Sequence, residues 1–310
     1  MATSTDAGLI PLYTTQFSTN IEMLLQQMGS KLRGKVREGF HVGKMASPVN
    51  QVGAIVLKTP AGRYAPKNRT DAEFVRRWCF PQEGEIDQLI DSFDELQTIV
   101  DPKSVYATNA ANAVGRGWDD CMIVNATGSA QLGQDASALT TETFSTSNFQ
   151  IASTFGTSAA NGLSVAKIIE AQRILRHFHN DLETDPQTLV IGSQQGSDLL
   201  NQVQFVSTEF NDRPVLVDGQ VRRFLGMDIV FSERLPQTTV GSVRGALLFV
   251  KSGMYLGIWK DTTNRVSIRN DLSGEPWDLY TSAMFGATRL QPGKVLQILC
   301  ADTTGADITP

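Results

Sequence analysis

Cysteine and histidine are scarce, with three of each in 310 residues. Cys79, Cys121 and Cys300 lie far apart. They frame neither a disulfide scaffold nor a paired-thiolate metal motif, which points to synthesis in a reducing compartment. His177 and His179 stand two apart in a predicted helix and so face different directions, unlike the i, i+4 pair that grips zinc. No run approaches the ~18 consecutive apolar residues of a membrane span. The opening stretch, MATSTDAGLIPLYTTQF, has neither a basic flank nor an apolar core, so no secretory signal is expected. GxSxG, GxxxxGK[ST] and GxGxxG are all missing. Asp119 and Asp120 are adjacent in a predicted helix and must diverge, which suits a salt bridge better than a catalytic pair. These absences assign no catalytic residue, no metal ligand and no cofactor, and no enzyme is expected.

What is present is a folded chain with an uneven charge pattern. Hydrophobic residues make up 41% and charged residues 19%, with no low-complexity tract. At roughly 150 residues per domain the length suggests about two domains. Residues 31–77 hold eleven basic and three acidic side chains, a balance of +8, while the rest of the chain carries −13. Residues 82–101 contain seven acids and no base. A basic segment on an acidic body suggests contacts between molecules or with nucleic acid. The net charge of −5 argues against a dedicated nucleic-acid binder.

The periodicity predicts a short helix over 21–29 and an extended basic hairpin over 31–80, with strands KVREGFHVGKM and VGAIVLKTPAGRY. Ile86, Leu89, Ile90, Phe93 and Leu96 predict an amphipathic helix over 85–100. Asp101 as N-cap and Pro102 at N1 open a long helix ending at Gly128. Its stripe is Tyr106, Ala110, Ala113, Gly117, Cys121 and Val124, with Val114, Trp118 and Met122 beside it. Gly115 and Gly117 within that helix predict close packing against another backbone. Residues 128–162 read as a long connection with room for one edge strand. A helix over 163–181, the strand TLVIGS and a helix starting at SQQGSDLLNQ follow. Two short strands kinked at Gly226 and two more in GALLFVKSGMYLGIWK come next. The segments 264–270, 276–290 and 293–302 predict an antiparallel meander. The whole is an α+β pattern without regular βαβ alternation.

Four blocks in order resemble the major capsid proteins of tailed bacteriophages. They are DPKSVYATNAANAVGRGWDDCMIVNATGSA (101–130), DPQTLVIGSQQGSDLLNQ (185–202), VDGQVRRFLGMDIVFSERLP (217–236) and FGATRLQPGKVLQIL (285–299). The resemblance implies the Hong Kong 97-like fold: an N-terminal arm (1–34), an extended E-loop hairpin (35–80), a peripheral domain with a long spine helix (81–150 and 261–310), and an axial domain (151–260). It implies self-assembly as hexamers and pentamers into an icosahedral head shell that encloses the DNA genome without sequence-specific binding. Scaffolding, portal and decoration proteins are the implied partners. The implied location is the virion, after synthesis in the host bacterial cytoplasm, with no membrane contact.

The charge split supplies candidate intersubunit contacts, Lys58, Arg63, Lys67 and Arg69 on the hairpin against Glu83, Glu85, Asp87 and Asp91 on the acidic segment. Covalent crosslinking through Lys58 or Lys67 has no motif that requires it. The other readings are an encapsulin-like non-viral shell, an α+β enzyme of unknown chemistry, and a tail or portal component. The portal reading lacks the coiled-coil heptads or large helical stem it would need.

Overall fold

The computed structural model describes residues 25–59, 62–64, 66–67, 69–90, 103–135, 137–202, 216–217, 220–221, 223–238 and 243–302. The strands of the first half are β1 (Arg37–Phe40), β2 (Ala46–Val52), β3 (Phe74–Cys79), β4 (Gln82–Ile90), β5 (Ala130–Leu132), β6 (Thr140–Glu142) and β7 (Gln150–Ile151). Those of the second half are β8 (Gln187–Ile191), β9 (Leu216–Val217), β10 (Gln220–Val221), β11 (Arg223–Phe224), β12 (Met227–Phe231), β13 (Gln237–Thr238), β14 (Val243–Val250), β15 (Met254–Ile268), β16 (Trp277–Arg289) and β17 (Val295–Ala301). The α-helices among the described residues are α1 (Lys103–Thr127), α2 (Thr146–Phe149), α3 (Val165–His177) and α4 (Ser193–Leu200).

Three sheets organise the described residues, with β9 and β10 forming a separate small ribbon. One sheet runs β1-β15-β16-β4, the second β11-β12-β8-β14-β17-β7 with β13 attached to β14, and the third β2-β3-β5-β6. The second sheet is covered on both faces. Leu189, Ile191, Ala246, Leu248, Leu296 and Ile298 face α3, α4 and Phe149. Val190, Leu247, Phe249 and Val295 face the core that α1 shares with the first sheet. Coverage on both sides is why TLVI and GALLFV read as unbroken apolar runs rather than alternating ones.

Helix α1 is about 37 Å long at 1.5 Å per residue. Its buried stripe is Ala110, Val114, Trp118, Cys121, Met122 and Ala126. That stripe is rotated from the predicted one, since Tyr106 and Val124 are exposed. The predicted cap at Asp101–Pro102 lies outside the described residues. Helix α3 starts at Ser164, whose side chain accepts from Lys167 N, and ends at His177 rather than 181. On its inner face Lys167 is fully buried. Lys167 Nζ donates to the carbonyls of Ser153 at 3.0 Å, Asn161 at 3.0 Å, Gly162 at 3.1 Å and Leu299 at 3.0 Å. Burial pushes its pKa down, against the nearby Cys300 and Asp198.

The structure corrects four expectations. Residues 82–90 are strand β4, not the start of a helix over 85–100. Ile86 and Ile90 fit either period, and pairing along β16 selects the strand. Residues 91–100 lie outside the described residues. The predicted C-terminal meander is split: β15 and β16 pair, but β17 joins the second sheet between β14 and β7. Residues 37–40, expected in the hairpin, form β1 alongside β15, so the hairpin strands are β2 and β3. The helix over 21–29 falls mostly outside the described residues, and residues 25–29 are not helical.

Candidate functional site

The hairpin carries four of its cations in solvent. Lys58, Arg63, Lys67 and Arg69 are all exposed. Lys58 Nζ donates to the Arg69 carbonyl at 3.1 Å, and the Arg63 guanidinium lies 5.9 Å from the Tyr64 ring. Among the described residues no carboxylate pairs with any of the four. Ile55, Val56, Leu57 and Tyr64, between or beside them, are exposed as well.

The acidic counterpart is β4, the edge of the first sheet. Glu83, Glu85 and Asp87 alternate outward along it while Ile86 and Ile90 turn inward. Alternation spaces the three carboxylates about 7 Å apart. Glu85 accepts from the Tyr280 hydroxyl at 3.1 Å. A hydrogen bond with the Asp278 carboxyl, with lesser help from desolvation and that neighbour's charge, holds Asp87 above the usual carboxylate range. The structure thus brings Glu83, Glu85 and Asp87 into one row. It does not bring the hairpin cations to them, since no ion pair joins the two groups within one chain among the described residues. Asp91 lies outside the described residues.

Four other basic residues of the +8 segment are already used inside the molecule. Lys31 Nζ donates to the Phe231 carbonyl at 2.8 Å. Arg33 pairs with Glu38 at 3.5 Å and Asp261 at 3.4 Å, and lies 4.3 Å over the Trp118 ring. Lys35 pairs with Asp228 at 3.0 Å. Arg77 is buried and paired with Glu142. Beside it the buried Arg289 donates to the carbonyls of Ala126 at 2.8 Å and Gly128 at 2.9 Å, closing the C-terminus of α1.

Sequence reasoning missed the seat that holds residues 26–32 on α1. Asp119 is fully buried and accepts from Gln27 Nε2 at 2.6 Å, Ser30 Oγ at 2.5 Å, Lys31 N at 2.9 Å and Leu32 N at 3.2 Å. Asn112 Oδ1 accepts from Gly29 N at 3.0 Å, and Arg116 donates to Gln26 Oε1 at 2.7 Å and Gln27 O at 3.1 Å. Gly115 makes the approach possible, since a Cβ there would stand 2.6 Å from the Gly29 carbonyl carbon. Gly117 meets a ring instead, that of Phe285, at 3.4 Å. Leu32 and Val36 then enter the core. The available signal was the helical spacing of 112, 115, 116 and 119 beside the apolar stripe. Asp119 and Asp120 diverge as expected, and Asp120 takes the salt bridge, with Arg234.

Among the described residues no three His, Cys, Asp or Glu side chains converge on a metal-sized site, and no helix is long and apolar enough to cross a membrane. Acid should loosen the Lys35–Asp228 link. Burial pushes the Asp228 carboxyl up, but Lys35 and Arg223 outweigh it and hold its pKa below the usual value. A lowered folded pKa contributes stability above the unfolded value of about 4, and that contribution is lost as pH falls through the folded one. The expected loss is below about 1 kcal/mol for so accessible a pair. Asp228→Asn should flatten that part of a melting-temperature profile between pH 5 and 2, taken as rough bounds.

A family model described as phage capsid protein matches residues 9–302. No curated protein matches. Among solved structures, the fold is similar to the capsid structure of the cyanophage P-SCSP1u, with a TM-score of 0.74 at 15% identity over 98% of this chain and 97% of that one. The cyanophage Pam1 capsid asymmetric unit gives a TM-score of 0.71 at 11% identity over 97% and 99% of the two chains. The capsid of the native GTA particle gives 0.68 at 12% identity over 97% and 99%.

Proposed function

The chain belongs to the phage capsid protein family and is a major capsid protein that forms a head shell, and from that premise we propose how one copy grips the next. The hairpin is the E-loop, and its cations dock on the β4 carboxylates of a neighbouring copy. One observation carries this reading. Two complementary charge groups, one exposed on the hairpin and one aligned on an edge strand, form no ion pair with each other among the described residues. Opposite patches of this kind steer encounter and set register more than they add affinity. The exposed Ile55, Val56 and Leu57 supply apolar area to the same contact.

In this reading the copies form hexamers and pentamers that close into an icosahedral shell, which needs contacts that close by rotation. Helix α1 with the first sheet is the peripheral domain, and the second sheet with α3 and α4 is the axial domain. That division assigns residues 295–301 to the axial domain. DNA is enclosed without sequence-specific contact, the chain has no catalytic role, and synthesis takes place in the host cytoplasm. Scaffolding, portal and decoration proteins complete the particle. The encapsulin-like and enzyme readings are not favoured.

Reversing three charges, Arg63→Glu, Lys67→Glu and Arg69→Glu, should abolish shells in electron micrographs while the subunit melts normally. Adding Glu83→Lys, Glu85→Lys and Asp87→Lys should restore some assembly. Assembly should also slow as salt shortens the screening length below about 8 Å. Normal shells from the triple variant would overturn the hairpin–β4 contact.

A further inference from the structure

Both legs of the hairpin rest on one bare lane of the first sheet. Gly39 of β1 is in register with Gly257 of β15, and Gly257 with Gly286 of β16. On β4, Gln82 pairs with Phe285, so the chain entering β4 passes Gly286. Three glycines in one rung leave three adjacent strands without side chains, and the hairpin legs and their neighbours fill the space. Over Gly286 lies the main chain of Phe80. A Cβ there would overlap the Phe80 carbonyl oxygen and stand 3.2 Å from Cys79 Sγ. A Cβ on Gly257 would stand 2.9 Å from the Trp259 ring and 3.3 Å from His41 Cδ2, and one on Gly39 would overlap Tyr255 Oη. His41 follows β1 directly. Its Nε2 is 2.6 Å from Tyr255 Oη, its ring centroid is 5.4 Å from that of Trp259, and its backbone N donates to Ile258 O at 2.9 Å.

We propose that Gly39, Gly257 and Gly286 are positioning residues. They seat His41 on one leg and Phe80 on the other, and so fix the direction in which the hairpin leaves the body. Leverage makes the seat matter. From His41 to Lys58 an extended chain reaches about 55 Å, so a tilt of about 5° at the lane moves the tip by about 5 Å. The consequence for assembly rests on reading the hairpin as an intersubunit contact, but the seat is a property of the single copy.

The test is Gly286→Ala, examined by hydrogen exchange on unassembled subunits and by micrographs of assembled ones. The atom in the way is backbone, so the leg must move. Amides of β2 and β3 should exchange about tenfold faster while α1 and the second sheet keep their protection, and shells should be lost or change diameter. Gly84→Ala on the same sheet, where a Cβ meets the Phe285 ring at an ordinary 3.7 Å, should change neither. If Gly286→Ala does not fold, Gly39→Ala decides, because its clash is with a side-chain tip. Hairpin exchange should rise in that variant, because moving the Tyr255 hydroxyl aside also takes it from His41 Nε2. Unchanged hairpin exchange in a folded Gly286→Ala or in Gly39→Ala overturns the seat. Faster hairpin exchange with normal shells keeps the seat and overturns the reading of the hairpin as the contact.

Discussion

Replacing Asp119 by alanine is expected to cost the subunit about 3–5 kcal/mol and to release residues 27–32 from helix α1. The carboxylate is fully buried, and four donors from one peptide segment converge on it. Two of them are backbone amides, Lys31 N and Leu32 N. Alanine leaves those donors stranded next to Leu32 and Val36, which are themselves core residues. Urea denaturation measures the loss. Hydrogen exchange should show it confined first to residues 27–36, and shells should fail to form. Asn keeps one accepting oxygen, so Asp119→Asn should fall between the two. An alanine variant within about 1 kcal/mol of the parent would mean that water replaces the carboxylate at little cost, and the seat would then be a consequence of packing.

Lys167→Met is expected to cost a similar amount, about 3–5 kcal/mol. Methionine nearly fills the volume of the lysine stem, so the loss reports the ammonium rather than a cavity. Four carbonyls surround Nζ, and they tie the 153–162 loop to β17 through Leu299. Without the cation they are buried acceptors facing one another. Denaturation of Lys167→Met, with exchange measured at the Ala301 amide that donates to Asn161 O at 2.9 Å, separates a local opening from a global loss. A methionine variant as stable as the parent would show that the carbonyl ring relaxes or hydrates freely. Nothing in the sequence marked Lys167 as a core residue. It sits one turn from Ser164 in an ordinary amphipathic pattern, and only the loop that folds over it removes it from water.

That contrast describes the legibility of the whole chain. Features set by local chemistry could be read directly. Gly226 marks the turn between β11 and β12, and Gly115 announces a close backbone neighbour. Apolar runs such as TLVI and GALLFV declared buried strands. What could not be read depends on partners distant in sequence. Ile86 and Ile90 satisfy a helix and a strand equally, and only β16 decides. β17 looks like the third strand of a meander until β14 and β7 claim it. The charge split was visible, yet it concealed two populations. Lys31, Arg33 and Lys35 serve the fold, while Lys58, Arg63, Lys67 and Arg69 have no carboxylate partner among the described residues. Counting charges cannot separate them, because the separation is made by which acids the body brings within reach.

The placement of β17 also sets an order of events during folding. It lies between β14 and β7, so residues 295–301 complete a sheet whose other strands begin at residue 150. β1 likewise waits for β15, more than 200 residues later in the chain. Pairings of such large sequence separation carry a heavy loop-closure entropy and form late. The second sheet therefore stays incomplete, with β7 unpaired to it, until the ribosome has passed residue 301. The first sheet, with its acidic edge and the rung beneath the hairpin, cannot be assembled until β15 and β16 have been made. A nascent chain cannot present the two complementary surfaces together, which separates synthesis in time from the growth of the particle.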